Sequence, residues 1–142
     1  MRIAGMLMAA ALAVAPGWAG DLTEELVALE RRALDGWLKG DPEPALAAMD
    51  PDVTYYHVIS EQRIEGLAAL KEIFERYRGR PLFDSYEIRG AKVRTVGDAA
   101  VLTYQLGQRV GENTSYWNGT VVFGKTEAGW RVVHVHWSAV RA

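Results

Sequence analysis

The sequence predicts an α+β fold: a cone-shaped, curved antiparallel sheet wrapped around three N-terminal helices, with an internal pocket. Three observations lead there. Helical periodicity is confined to the chain before Pro81. Beyond it, β-branched and aromatic stretches follow one another, separated by short turns that contain glycine. The last of them, Gly129 to Ser138, reads as one long strand that carries two of the three histidines. Helices gathered on one face of a run of antiparallel strands are an α+β layout, and a sheet curved around them leaves a concave space.

Asp21 to Lys39 is predicted to be a helix, because Leu22, Leu26, Leu29, Ala33 and Trp37 recur at three- and four-residue steps. Asp21 or Thr23 suits its start, and Gly40 stands just past its end. Asp41 and Pro42 open a second helix that runs through Met49, with Asp41 as cap and Pro42 at the first helical position; Pro51 ends it. Val53 to Ile59 is β-branched and aromatic and reads as a strand. Gly66 to Arg78 is a third helix, with Leu67, Leu70, Ile73, Phe74 and Tyr77 on its buried side. Four strands follow: Phe83 to Val96 with a kink at Gly90, Ala99 to Val110, Thr114 to Lys125, and Trp130 to Val140. Short glycine turns between such strands make an antiparallel meander. Asn118-Gly119 is either a two-residue turn that splits the third of these strands or a bulge or close backbone approach within it, and the second reading is preferred.

The chain has 142 residues and a formal net charge of -2, from 16 Lys+Arg against 18 Asp+Glu. That length suits one domain. The near-neutral balance lacks the basic excess of a nucleic-acid binder. With no cysteine there is no disulfide, thiolate metal site or thiol nucleophile. Met1-Arg2, the apolar run from Ile3 to Val14 and the small residues Gly17 and Ala19 fit a signal peptide over residues 1–19. The run is shorter than a membrane span requires. Residues 20–142 are then the single folded domain, periplasmic or secreted, with no membrane attachment after cleavage.

Successive strand residues point to opposite faces, so regular alternation puts His134 and His136 on one side with Trp130, Val132 and Ser138. Imidazoles on a strand otherwise suited to aliphatics suggest a wet or hydrogen-bonded pocket. His57, in the predicted strand before the third helix, shares a face with Tyr55, while Tyr56 points the other way. Two histidines at i and i+2 plus a third from elsewhere can hold zinc, but no helical zinc motif supports it, and no metal or cofactor is expected. Trp37, Tyr55, Tyr104, Asn118 and His134 are candidates for contact with a small organic ligand, because aromatic walls with a few polar groups suit one.

Taken in order, Gly40-Asp41 before a short Ala/Leu helix, Pro51-Asp52-Val53-Thr54-Tyr55 with the later Ile64-Glu65-Gly66, and Gly129-Trp130-Arg131-Val132-Val133-His134-Val135-His136-Trp137-Ser138 resemble the nuclear-transport-factor-two-like superfamily. Within it the chain is most similar to SnoaL-like proteins and to the association domain of calcium/calmodulin-dependent protein kinase II. The resemblance covers essentially all of the chain after the signal and implies a cone fold that forms homodimers through its outer sheet face. On that reading Val133, Val135 and Trp137, opposite the histidines, would supply the dimer contact. It does not imply one function, since the fold hosts enzymes, binders and assembly modules. An ungapped match to the steroid isomerases places His57 where their aspartate base lies, but Ala33 where their tyrosine donor lies, which removes the electrophilic half of that chemistry. The late-strand carboxylate of the cyclases and the Asp-Arg-Asp set of the epoxide hydrolases have no counterpart, although Arg94 and Arg109 are candidate arginines. Small-molecule binding is therefore the leading expectation. The alternatives are cofactor-independent acid–base catalysis with His57 and His136 as the proton-transfer pair, and a homo-oligomeric association module.

Overall fold

A computed structural model describes residues 19–58 and 60–141. The expected signal peptide lies outside the described residues except for Ala19, where the first helix begins. The elements run α1 (Ala19–Leu38), α2 (Glu43–Ala47), β1 (Met49–Tyr56), β2 (Ile64–Glu65), α3 (Leu67–Glu75), β3 (Ser85–Val96), β4 (Ala99–Val110), β5 (Asn113–Thr126) and β6 (Gly129–Ala139). They form an α+β fold with one curved six-stranded sheet in the order β2-β1-β6-β5-β4-β3. Among the described residues, no helix is long and apolar enough to cross a membrane.

Most predicted elements appear within a few residues of their expected limits, and the differences have local causes. The Asp41 carboxylate accepts the backbone N–H of Glu43 at 3.0 Å, so the expected cap acts one residue ahead of Pro42. The helix it opens stops at Ala47, because Met49 already pairs with Val132 in the sheet. β1 therefore starts earlier than Val53 and ends at Tyr56, which leaves His57 just past the strand. It pairs in parallel with β6 and antiparallel with the short β2, so the sheet is mixed at this end rather than antiparallel throughout. The kink expected at Gly90 is a bulge: pairing with β4 breaks between Arg89 and Lys92, and Gly90 has φ of 62°.

Asn118-Gly119 is not a turn. β5 is continuous there, with Asn118 opposite Ser138 and Gly119 opposite Trp137. A Cβ on Gly119 would lie 2.5 Å from Cζ3 of Trp137, so the glycine exists to let the indole lie flat against the strand.

The irregularity that matters most lies in β6. Val122 pairs with His134, but Phe123 pairs with Val132, so Val133 is an extra residue. A bulge of this kind puts two successive residues on the same side and reverses the alternation beyond it. Val132 is buried, Val133 stays outside beside Gly124, and past the bulge Val135 and Trp137 turn inward while His134 and His136 turn out. The regular alternation expected from the sequence holds from His134 onward but does not connect to Trp130 and Val132. The expected outer contact of Val135 and Trp137 is corrected for the same reason, since both face the interior.

The core fills the concave side. Leu26 and Leu34 from α1, Leu46 from α2, Leu70 and Phe74 from α3, and Ala100, Leu102, Val121, Phe123, Val132 and Val135 from the sheet are all buried. Burying one such Val, Leu or Phe side chain contributes about 1.5–3 kcal/mol.

Candidate functional site: a carboxyl in an aromatic cavity

A cavity of about 170 Å³ remains between α1, α2, α3 and the sheet, walled by Trp37, Tyr55, Phe74, Trp117, Phe123 and Trp137. Its polar groups come from Glu30, His57, Gln108 and Tyr55. Glu30, Ala33 and Trp37 reach it together because positions i, i+3 and i+7 share one face of a helix.

The wall is a linked ring. Trp37 packs edge-on to Phe74, with ring centres 5.0 Å apart, and Phe74 edge-on to Tyr55 at 5.6 Å. The Trp137 indole N–H donates to the Tyr55 hydroxyl at 3.0 Å, and the Trp137 ring meets Tyr104 edge-on at 5.5 Å. The Tyr104 hydroxyl donates to Oε1 of Glu30 at 2.5 Å, which brings the ring back to α1. Edge-on aromatic pairs contribute about 0.5–1.5 kcal/mol each beyond their buried area. Buried polar tips are tolerable because each finds a partner, and among the described residues no buried side-chain polar atom lacks one.

The electrostatics follow from burial. Desolvation raises the Glu30 pKa above the usual carboxylate range, and the bond from Tyr104 opposes this in part. Desolvation also raises Tyr104, helped by the nearby Glu30 charge. Tyr55 is raised by burial and by Glu30, against the bond from Trp137. Burial lowers the His57 pKa, which favours neutral imidazole. Among the described residues no ion pair is formed by Glu30, and no Lys or Arg lines the cavity.

Of the seven side chains expected at the site, Trp37, Tyr55 and His57 line the cavity, and Tyr104 joins it through Glu30. The other three do not. His134 and His136 lie on the outward face: Nδ1 of His134 is 2.7 Å from the Thr54 hydroxyl, and exposed His136 packs beside Tyr56. Asn118 is exposed on the same face and accepts from the Gln105 amide at 3.2 Å. The expected convergence of His57 and His136 is therefore corrected: the sheet separates them, because the bulge at Val133 fixes which side His136 takes. Among the described residues no group of three or more His, Cys, Asp and Glu is placed to hold a metal ion.

Sequence reasoning missed Glu30, Gln108 and Trp137. Glu30 was findable: it lies four residues after Leu26, three before Ala33 and seven before Trp37, inside the apolar stripe of α1. A lone carboxylate in such a stripe signals burial with a purpose.

A curved six-stranded sheet closed by three helices around such a cavity defines the nuclear-transport-factor-two-like class of α+β fold. Within that class, the sequence model for the calcium/calmodulin dependent protein kinase II association domain matches residues 23–141, and the chain belongs to that family. Solved structures agree. A ketosteroid-isomerase-like protein of Parabacteroides distasonis is 28% identical, with 84% of this chain and 89% of that one covered and a TM-score of 0.76. The kinase II hub of S. rosetta is 25% identical over 89% of this chain and 100% of that one, with a TM-score of 0.70. An NTF2-like protein of unknown function from Pseudomonas putida shares the fold at 21% identity, covering 89% and 92%, with a TM-score of 0.76. A comparison with curated protein sequences finds no match.

Proposed function

We propose that the protein binds a small organic molecule in the cavity between α1 and the sheet. One observation carries this reading: the aromatic ring described above is built around empty space, with a carboxyl and two tyrosines at its edge. A cavity near 150 Å³ is known to accept benzene, so one of about 170 Å³ suits a single-ring ligand. A cavity is otherwise a cost, because its lining atoms forgo packing contacts.

Ala33 offers the test, since it lines the cavity between Glu30 and Trp37. Ala33→Phe puts a ring where the ligand would sit. The expected result is at least a tenfold loss of affinity for single-ring ligands, with a melting temperature equal to or above that of the wild type. A variant that still binds them as the wild type does would contradict the reading.

Acid–base catalysis is the second reading, and the same cavity supports it. The carboxyl best suited is Glu30 rather than a histidine pair, because a buried acid with a raised pKa stands nearer to working pH; His57 is the second proton-transfer group within reach of the cavity.

The hub and association-domain relatives support self-association as part of this reading. We assign a homodimer contact to the outward face of β4, β5 and β6, where Val101, Val122, Thr120 and Val133 are only partly buried. Export through cleavage after Ala19, to the periplasm or medium, completes the proposal. The mass of the secreted chain checks the cleavage point.

A further inference from the structure

Building on the small-molecule reading, we propose that the ligand is a small organic cation: a primary or methylated ammonium on a group of about single-ring size, held by the Glu30 carboxylate inside the aromatic ring. Three observations lead to it. Glu30 stands in the cavity wall with one oxygen engaged by Tyr104, and no hydrogen bond to its second oxygen is made by the described residues. Neither lysine nor arginine lines the cavity, so nothing among the described residues neutralises that carboxylate. The same cavity is walled by the aromatic rings of Trp37, Tyr55, Trp117 and Trp137.

Each alternative ligand meets a specific obstacle. An anion would meet the carboxylate at close range with no opposing cation, and like charges a few ångströms apart in a poorly solvated site repel strongly. A neutral ring would fill the space but strip water from the second oxygen without supplying a charge or a donor strong enough to replace it, so Glu30 would have to take up a proton. An ammonium supplies the missing charge, a donor for the second oxygen, and a cation for the electron-rich ring faces. Cation–π attraction strengthens when the site is desolvated. The tyrosine hydroxyls fit the same pattern: Tyr104 donates to the carboxylate, and Tyr55 keeps a hydroxyl proton while its oxygen accepts from Trp137.

Dissociation constants for benzylammonium, benzyl alcohol and benzoate, measured by calorimetry at pH 7.5, test this. The three probes share a ring and differ in charge. Benzylammonium should bind at least tenfold more tightly than benzyl alcohol, with benzoate weakest. In Glu30→Gln, which keeps shape and removes charge, that preference should vanish. Benzyl alcohol binding as well as benzylammonium, or better, would overturn the cation assignment and leave the cavity reading standing. If none of the three binds at millimolar concentration, the cavity reading falls and the cation assignment with it. The wild-type comparison decides the matter even if Glu30→Gln does not fold.

Discussion

Gly119→Ala should destabilise the protein by about 2–3 kcal/mol, the upper part of the range for overpacking a filled interior. The added methyl would sit 2.5 Å from Cζ3 and 2.9 Å from Cη2 of Trp137. The backbone of β5 cannot retreat, because it is paired on both sides, to β4 through Tyr104 and to β6 through Trp137. The indole must move instead, and with it the hydrogen bond to Tyr55 and the edge-on contact with Tyr104. A lower urea midpoint at unchanged slope would report this loss. The same variant should lose affinity for cavity ligands, because the wall that moves is the wall they touch. An unchanged midpoint would mean that Trp137 does not lie against Gly119.

Glu30→Gln should make stability less dependent on pH and should stabilise the protein above neutrality. Burial raises the Glu30 pKa in the folded state above its unfolded value. Between the two values the folded chain holds more protons than the unfolded one, so stability falls as pH rises through that window. Each unit of raised pKa costs the ionised folded form about 1.4 kcal/mol. Glutamine removes the titration and keeps an acceptor for Tyr104. Other groups near Glu30 do not supply the same trend: Tyr55 and Tyr104 are pushed up and stay protonated, and His57 is pushed down, which makes stability rise with pH instead. Denaturation midpoints of wild type and variant from pH 5 to 8.5 should therefore diverge as pH rises. Parallel curves would show that Glu30 is solvated and not part of an enclosed site.

Most of the fold was legible because its signals are local. The stripe Leu22, Leu26, Leu29, Ala33 and Trp37 determines the buried face of α1, and the glycine turns set the limits of β4 and nearly those of β5. The site was only partly legible, for two separate reasons. Val133 has no residue-type signature of a bulge, so the outward turn of His134 and His136 depends on pairing with β5 that no local pattern shows. The parallel pairing of β1 with β6 is equally non-local: it joins Thr54 to His134, 80 residues further along the chain. Glu30 is the opposite case. Its position in the apolar stripe was visible, but the aliphatic spacing drew attention away from the one charged residue lying among it. Trp37 and Tyr55 were found because large aromatics on predicted inner faces have few other places to go.

Ligands are expected to enter the cavity between α1 and the sheet. The indole N–H signals of the tryptophans report this directly under titration with a single-ring amine. Trp37, Trp117 and Trp137 line the cavity, whereas Trp130 lies at the start of β6 and does not. The expected result is a saturable shift of the Trp37, Trp117 and Trp137 signals with Trp130 unmoved. Shifts confined to Trp130, or to Tyr56, His134 and His136 on the outward face, would place the ligand elsewhere and contradict the account.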